Sequence, residues 1–496
     1  MANLFSRRAI LTVLACGVAS FGWASAPTVS LRPVARPQGT RKAAVADAEA
    51  LIEKARLGGR VAFSVIDAKS GLVLEQKAAT TGLPPASVTK TITALYALEV
   101  LGAGHRFATR LIASGAVTNG VLRGDLVLAG GGDPTLDTDG LARLAAKLKA
   151  AGIREVTGRL RAYGGALPRV RQIDPAQPDF VAYNPSISGL NLNFNRVHFE
   201  WKRAGGKYTT TMDARSGKYR PEVRIARMSI AEHAQPVFLY KDGGGQDLWS
   251  VSRQALGKAG ARWLPVRKPE AYALEVFATF ARSQGIVLKP GAPLDAAPSG
   301  PVLATEQSAP LRDILRDMLK FSNNMTAESV GLSATLARRG KVTSLSASAQ
   351  EMSRWAGTRL GMAGTRFVDH SGLGEAARVT AADLARAIAA VDRQGALKPL
   401  LKPFVLRDQN GTENKAHPIK VLAKTGTLYF VSTLTGYMTA PDGRELAFAI
   451  LTADNGRRAK FDSKTGARPE GAAAWNKRAK GLQQNLIERW GAIYGS

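Results

Sequence analysis

Cysteine is all but missing from this chain. The single one, Cys16, lies inside an N-terminal apolar stretch. If that stretch is removed on export, no thiol remains for a disulfide, a thiolate nucleophile or a thiolate metal site. Histidine is scarce as well. Its five copies, at 105, 198, 233, 370 and 417, are scattered and show no metal-ligand spacing. No metal and no cofactor is therefore expected, and His370 reads as a structural residue. Acidic residues are few, 39 against 68 lysines and arginines, which leaves a formal charge of +29. After the first 26 residues no apolar run reaches membrane-spanning length, so no transmembrane helix is expected in the mature chain.

The N-terminus reads as a secretory signal over residues 1–26. Arg7 and Arg8 form the charged start, Ala9 to Trp23 the apolar stretch, and Ala24-Ser25-Ala26 the small-residue cleavage pattern. Ser6-Arg7-Arg8-Ala9-Ile10-Leu11 also fits a twin-arginine signal, and the general and twin-arginine routes both stay open. The protein is expected to be exported to the periplasm, soluble or peripheral. An exported cation meets little nucleic acid, so the expected partner of its charge is an anionic envelope polymer or membrane surface. The densest basic stretch holds Arg457, Arg458, Lys460, Lys464, Arg468, Lys477, Arg478 and Lys480. A solvated loop and helix face is the plain alternative for it.

Against these absences stands Ser87-Val88-Thr89-Lys90. Residues three apart share a helix face, so the lysine amine can reach the serine hydroxyl and make it a nucleophile. Pro84 and Pro85 precede the pattern, Val88, Ile92, Leu95 and Val100 follow at roughly helical spacing, and Gly102 and Gly104 read as the stop. A serine that opens a helix can equally be an N-cap. Two later segments bear on that choice. Ser322-Asn323-Asn324 ends an amphipathic run with Leu311, Ile314, Leu315, Met318 and Leu319 on one face. Lys424-Thr425-Gly426-Thr427 lies in a strand-like stretch.

The spacing of the three is uneven. From Ser87 to Ser322 the chain runs more than twice as far as from Ser322 to Lys424. Roughly 110–263 therefore reads as an insertion, rich in glycine and short alternating strands. Gly130-Gly131-Gly132-Asp133-Pro134 is a turn rather than a phosphate loop, since no Lys-Ser/Thr follows it. Arg60 to Glu75 predicts a hairpin, with Val61, Phe63 and Val65 alternating. Val421–Leu428, Thr433–Thr439 and Leu446–Thr452 predict strands, and Ala472–Trp490 a closing helix. Two early strands, three late ones and helices between them predict an α+β fold, an antiparallel sheet flanked by helices with a large β-rich insertion. The expected division is 1–26 signal, 27–45 leader, 46–109 and 264–496 catalytic domain, and 110–263 insertion.

Ser-x-x-Lys, Ser-x-Asn and Lys-Thr-Gly, in that order, resemble the motif set of penicillin-binding proteins and class A β-lactamases. The middle one reads Ser-Asn-Asn here, not Ser-Asp-Asn. With the long first gap, the chain resembles the DacB-type D-alanyl-D-alanine carboxypeptidase/endopeptidases, low-molecular-mass penicillin-binding proteins. Gly124-Asp125-Leu126 to Leu136, Leu311 to Glu328, Asp369-His370-Ser371-Gly372-Leu373 and Arg378-Val379-Thr380 fit the same family. The resemblance implies a penicillin-binding/β-lactamase-like transpeptidase domain carrying inserted domains. It implies peptidoglycan stem peptides as substrate and β-lactams as covalent inhibitors. By that pattern Ser87 attacks the carbonyl between two D-alanines and Lys90 takes its proton. Ser322 relays a proton to the leaving amine, and Asn324 holds the substrate amide. Lys424 supplies positive charge, Thr425 and Thr427 (flanking Gly426) bind the terminal carboxylate, and the N–H groups of Ser87 and Thr427 form the oxyanion hole. Gly374-Glu375 stands where the family often has a basic residue. Asp174 and Asp179 are the candidates for the insertion's contact with the stem amine.

Two other functions fit parts of the pattern. A β-lactamase shares the acylation but needs a glutamate motif to position a deacylating water, and none follows Ser322. A non-catalytic wall-binding protein explains the charge and the insertion but leaves the Ser87/Lys90 pair without purpose.

Overall fold

The computed structural model describes residues 45–392, 395–408, 410–462, 464, 466 and 468–495. The expected signal, 1–26, and all but the last residue of the 27–45 leader lie outside them. A six-stranded antiparallel sheet forms the base. Its order is Lys402–Pro403, Lys420–Leu428, Val431–Thr439, Glu445–Ala453, Arg60–Asp67, Val73–Lys77. The early hairpin thus closes onto the last strand, with Phe63 opposite Ile450. Side chains alternate across a strand, and both faces here are covered. Val61, Phe63 and Val65 meet Trp475, Leu486 and Trp490 of the closing helix Ala472–Tyr494 on one side. Ala62 and Ile66 face the helical layer on the other. The same alternation turns Val421 and Ala423 toward the closing helix and Lys424 the opposite way.

In the helical layer, Thr89–Leu101 is buried on every side from Thr89 to Ala97. Its alanines and threonines leave room for neighbours all round, as a central helix requires. Leu311–Phe321 and Asn324–Arg339 pack against it. Leu311, Ile314, Leu315, Met318 and Leu319 form the single buried face read from the sequence.

Between Leu101 and Leu311 lies a second body of structure. A seven-stranded mixed sheet joins Val302–Gln307, Ala108–Ala113, Leu126–Gly130, Glu155–Tyr163, Val121–Arg123, Ala116–Thr118 and Val287–Pro290. Two three-stranded sheets accompany it. One apolar core runs from Leu111 to Ala304 and includes Tyr272 and Phe277 of the helix Pro269–Ser283. The boundary expected at 263–264 falls inside this packing. The strand Val302–Gln307 closes back onto Ala108–Ala113, a long-range pairing that glycine content and short strands did not reveal. Among the described residues no helix is long and apolar enough to cross a membrane.

Candidate active site

Ser87 sits in a tight turn, Ala86–Val88, that runs into the helix Thr89–Leu101. Its hydroxyl makes no capping bond at that helix start, so the N-cap reading does not apply. Instead Ser87 Oγ lies 3.0 Å from Lys90 Nζ. The preceding residue, Ala86, is held at φ 48°, a left-handed conformation that costs a non-glycine residue about 1–3 kcal/mol.

Lys90 is completely buried. Its amine also donates to Asn324 Oδ1 (2.8 Å) and to the carbonyl of Ser371 (2.7 Å). Burial lowers its proton affinity to about 8, against the pull of Glu328 and Asp369, which raise it. Asn324 cannot turn its amide round. Its Nδ2 donates to the carbonyl of Tyr183 at 2.9 Å, and a carbonyl only accepts. The insertion therefore sets which end of Asn324 faces the lysine.

Leu311–Phe321 ends at Ser322, itself left-handed at φ 58°. Asn323 then caps the next helix, accepting the N–H of Thr326 at 3.0 Å. The residue at this middle position is thus a cap, and Asn and Asp cap about equally well, so Ser-Asn-Asn supplies the same helix start that Ser-Asp-Asn would. Ser322 Oγ accepts from Lys424 Nζ at 2.9 Å, and the same amine reaches the carbonyl of Thr425 at 2.8 Å. Burial first, then the charges of Lys90 and Lys402, lower the Lys424 amine to about 6. A Cβ on Gly426 would fall 2.1 Å from Thr433 Oγ1 and 2.9 Å from the Ser87 nitrogen. Only glycine lets this strand lie against Ser87. Thr425 is half-buried and Thr427 exposed at the same strand end. The structure brings two hydrogen-bonded groups together, Lys90 with Ser87 and Asn324 and Lys424 with Ser322, near enough for the charge of Lys90 to act on Lys424, with Gly426 against Ser87.

Several residues at the site escaped the sequence. Glu328 is fully buried and accepts the N–H groups of His370 and Ser371, each at 2.9 Å. Asp369 accepts those of Gly372 and Gly374 at 2.6 Å. Burial raises the proton affinity of both acids. An acid on the apolar face of Asn324–Arg339, three residues after the buried Met325, was the available signal for Glu328. His370 is buried, with Nε2 2.8 Å from Ser348 Oγ, and burial lowers it to about 3, so it stays neutral.

Of the two acids named in the insertion, Asp174 lies near the cleft, since its charge acts on Asp369, Tyr183 and Arg458. Asp179 pairs with Arg171 at 3.4 Å. Arg458, expected in a free basic surface, is mostly buried. It donates to the carbonyl of Tyr429 at 2.7 Å and lies 3.6 Å from Glu375. A guanidinium with these partners belongs to the cleft wall.

The sheet, the helical layer and this constellation place the molecule among hydrolases of the penicillin-binding/β-lactamase-like α+β fold. Within that class, the chain belongs to the D-Ala-D-Ala carboxypeptidase 3 (S13) family, whose model matches residues 44–474. It is 30% identical to a D-alanyl-D-alanine carboxypeptidase of Actinomadura sp. (strain R39) over 82% of this chain and 80% of that one. It is 25% identical to the D-alanyl-D-alanine carboxypeptidase DacB of Haemophilus influenzae over 80% of this chain and 86% of that one. The crystal structure of penicillin binding protein 4 (dacB) from Haemophilus influenzae shares the fold, with a TM-score of 0.71 at 21% identity, over 89% of this chain and 99% of that one.

Proposed function

We propose that this chain is a serine-type D-Ala-D-Ala carboxypeptidase, and an endopeptidase on cross-linked stems, working through an acyl-enzyme on Ser87. The observation that carries the reading is the bonding of Lys90. Two acceptors that cannot donate in this geometry, Asn324 Oδ1 and the Ser371 carbonyl, take two of its N–H groups. A neutral amine then has only its lone pair left for Ser87, which is what a general base needs.

In the proposed reaction Ser87 Oγ bonds to the carbonyl carbon between two D-alanines while its proton passes to Lys90 Nζ. The N–H groups of Ser87 and Thr427 take the developing oxyanion, a term of about 3 kcal/mol per donor. Collapse breaks the peptide bond, and the leaving amine gains its proton through Ser322, which Lys424 touches. Water then releases the acyl group from Ser87. The terminal carboxylate of the substrate docks at Lys424, Thr425 and Thr427. An amine lowered to about 6 is largely neutral in the empty cleft, and an arriving carboxylate draws a proton onto it, so the charge is matched only when substrate is present. A penicillin offers the same carbonyl and carboxylate, and its ring-opened acyl group has no small leaving amine to lose. In the insertion, Asp174 is the better placed acid for a stem amine. The basic surface serves an anionic envelope polymer.

Fluorescent penicillin tests the reading. A stable adduct mapped to Ser87, with D-alanine released from a soluble D-Ala-D-Ala peptide, is expected. Rapid turnover of the penicillin points to a β-lactamase instead, and no adduct to a non-catalytic wall-binding protein.

A further inference from the structure

Two carboxylates beside the site carry no role in the chemistry above, yet both are completely buried. They hold one loop. Glu328 accepts the N–H groups of His370 and Ser371. Asp369 Oδ1 accepts the N–H of Gly372 at 2.6 Å, and Asp369 Oδ2 that of Gly374. The Gly372 N–H and the Ser371 carbonyl belong to the same peptide unit, and that carbonyl accepts Lys90 Nζ at 2.7 Å. One peptide bond thus has a carboxylate at one end and the lysine at the other. All four carboxyl oxygens accept an N–H, which favours the carboxylate form against the burial that raises its proton affinity. Hydrogen bonds to a charged partner are the strong ones, and bonds in series polarise one another in a buried site. The loop has little freedom to drift. Gly372 sits at φ 77°, and a Cβ there would fall 1.8 Å from the carbonyl oxygen of Ala86, next to Ser87.

We infer that Asp369, with Glu328 behind it, is the positioning residue of the Ser87–Lys90 pair: it aims the Ser371 carbonyl at Lys90 and balances the ammonium that forms when Ser87 gives up its proton. A plain loop clamp is the competing explanation, and neutral amides would serve it in part. Charge separates the two. Lys90 is the cation both acids face. The other charges at hand are Asp174 from the insertion and Lys424 from the strand Lys420–Leu428. This inference rests on Lys90 being the base.

The test is the rate of penicillin acylation across pH for Asp369→Asn and Glu328→Gln, each beside its melting temperature. A buried carboxylate stabilises the ammonium form of Lys90. Its loss leaves the free amine present to lower pH, so the acid limb of the profile moves down by about one pH unit. The plateau rate drops about tenfold, as a weaker and less well aimed base predicts. A uniform fall with the limb in place in both variants means a loop clamp only and overturns the inference. If one variant does not fold, the other carries the same comparison. Lys90→Ala separates this from failure of the underlying reading. Acylation at the wild-type rate in that variant overturns Lys90 as base, whereas an inactive Lys90→Ala with unmoved limbs in the acid variants overturns only the positioning role.

Discussion

Two buried lysines in one cleft work against stability. For Lys424 the sign follows from its proton affinity, near 6 in the fold and 10.5 when free. Between those values the unfolded chain binds more protons, so this group's contribution to stability rises with pH across that window and is least favourable on the acid side. Lys424→Met, which keeps the bulk and removes the charge, is expected to raise the melting temperature at pH 7. At pH 7 folding must strip the proton from this amine, and an apolar side chain of similar bulk carries no such cost. Acylation is expected to fall about 100-fold or more, the scale of a lost electrostatic contact. Melting temperature and acylation rate falling together would refute the electrostatic role. Ser87→Ala is expected to abolish both penicillin labelling and D-alanine release with an unchanged melting temperature. An adduct on another serine would sink the assignment. In the wild type, acylation should climb with pH through about 8, where Lys90 loses its proton.

At the scale of elements, the second motif shows how one tripeptide does two jobs. Ser322 closes one helix, Asn323 opens the next, and Asn324 faces the lysine. Asn323→Asp should leave acylation within about twofold and stability equal or slightly better, because an acid suits a helix N-terminus. Asn323→Ala should cost about 1 kcal/mol of stability, the usual worth of a cap. Denaturant melts of both variants check this, and equal melting of the alanine variant would show that the cap bond contributes nothing. The apolar stripe from Leu311 and its end at Ser322-Asn323-Asn324 were legible in the sequence, since both are local signals. The partner of Asn324 was not. The Tyr183 carbonyl that orients it lies 141 residues away in the chain, and no periodicity encodes a backbone carbonyl.

For the whole molecule, the formal charge of +29 far exceeds what solubility needs. The C-terminal basic stretch divides once the chain is folded. Arg458 is engaged in the cleft wall, while Lys460, Lys464, Lys477 and Lys480 are exposed. Reversing those four lysines to glutamate is expected to weaken binding to purified sacculi at low salt. The effect should fade as salt screens it over a Debye length of about 8 Å at physiological strength. Hydrolysis of a small soluble D-Ala-D-Ala peptide should stay nearly unchanged. Pelleting across a salt series decides the matter, and salt-insensitive binding, or an equal loss on the small peptide, counts against an electrostatic tether. We propose that the inserted module extends to about residue 307, because its core holds Tyr272, Phe277 and Ala304.

What the sequence determined by itself is what short range can carry. The three motifs, their order, the alternation in Arg60–Asp67, the apolar face of Leu311–Phe321 and the long gap after Ser87 are all local or countable. They were enough for the fold class and for the residues gathered at the cleft. Tertiary structure alone decided the rest. It paired a strand at 302–307 with one at 108–113, on which the proposed end of the inserted module rests. It placed Arg458 in a wall rather than on a surface. It buried Glu328 and Asp369 beside Lys90, so that one peptide bond links an acid to the lysine. Proton affinity depends on burial and on neighbours within a few ångströms. Those neighbours come from segments far apart in the chain, so only the folded molecule assembles them.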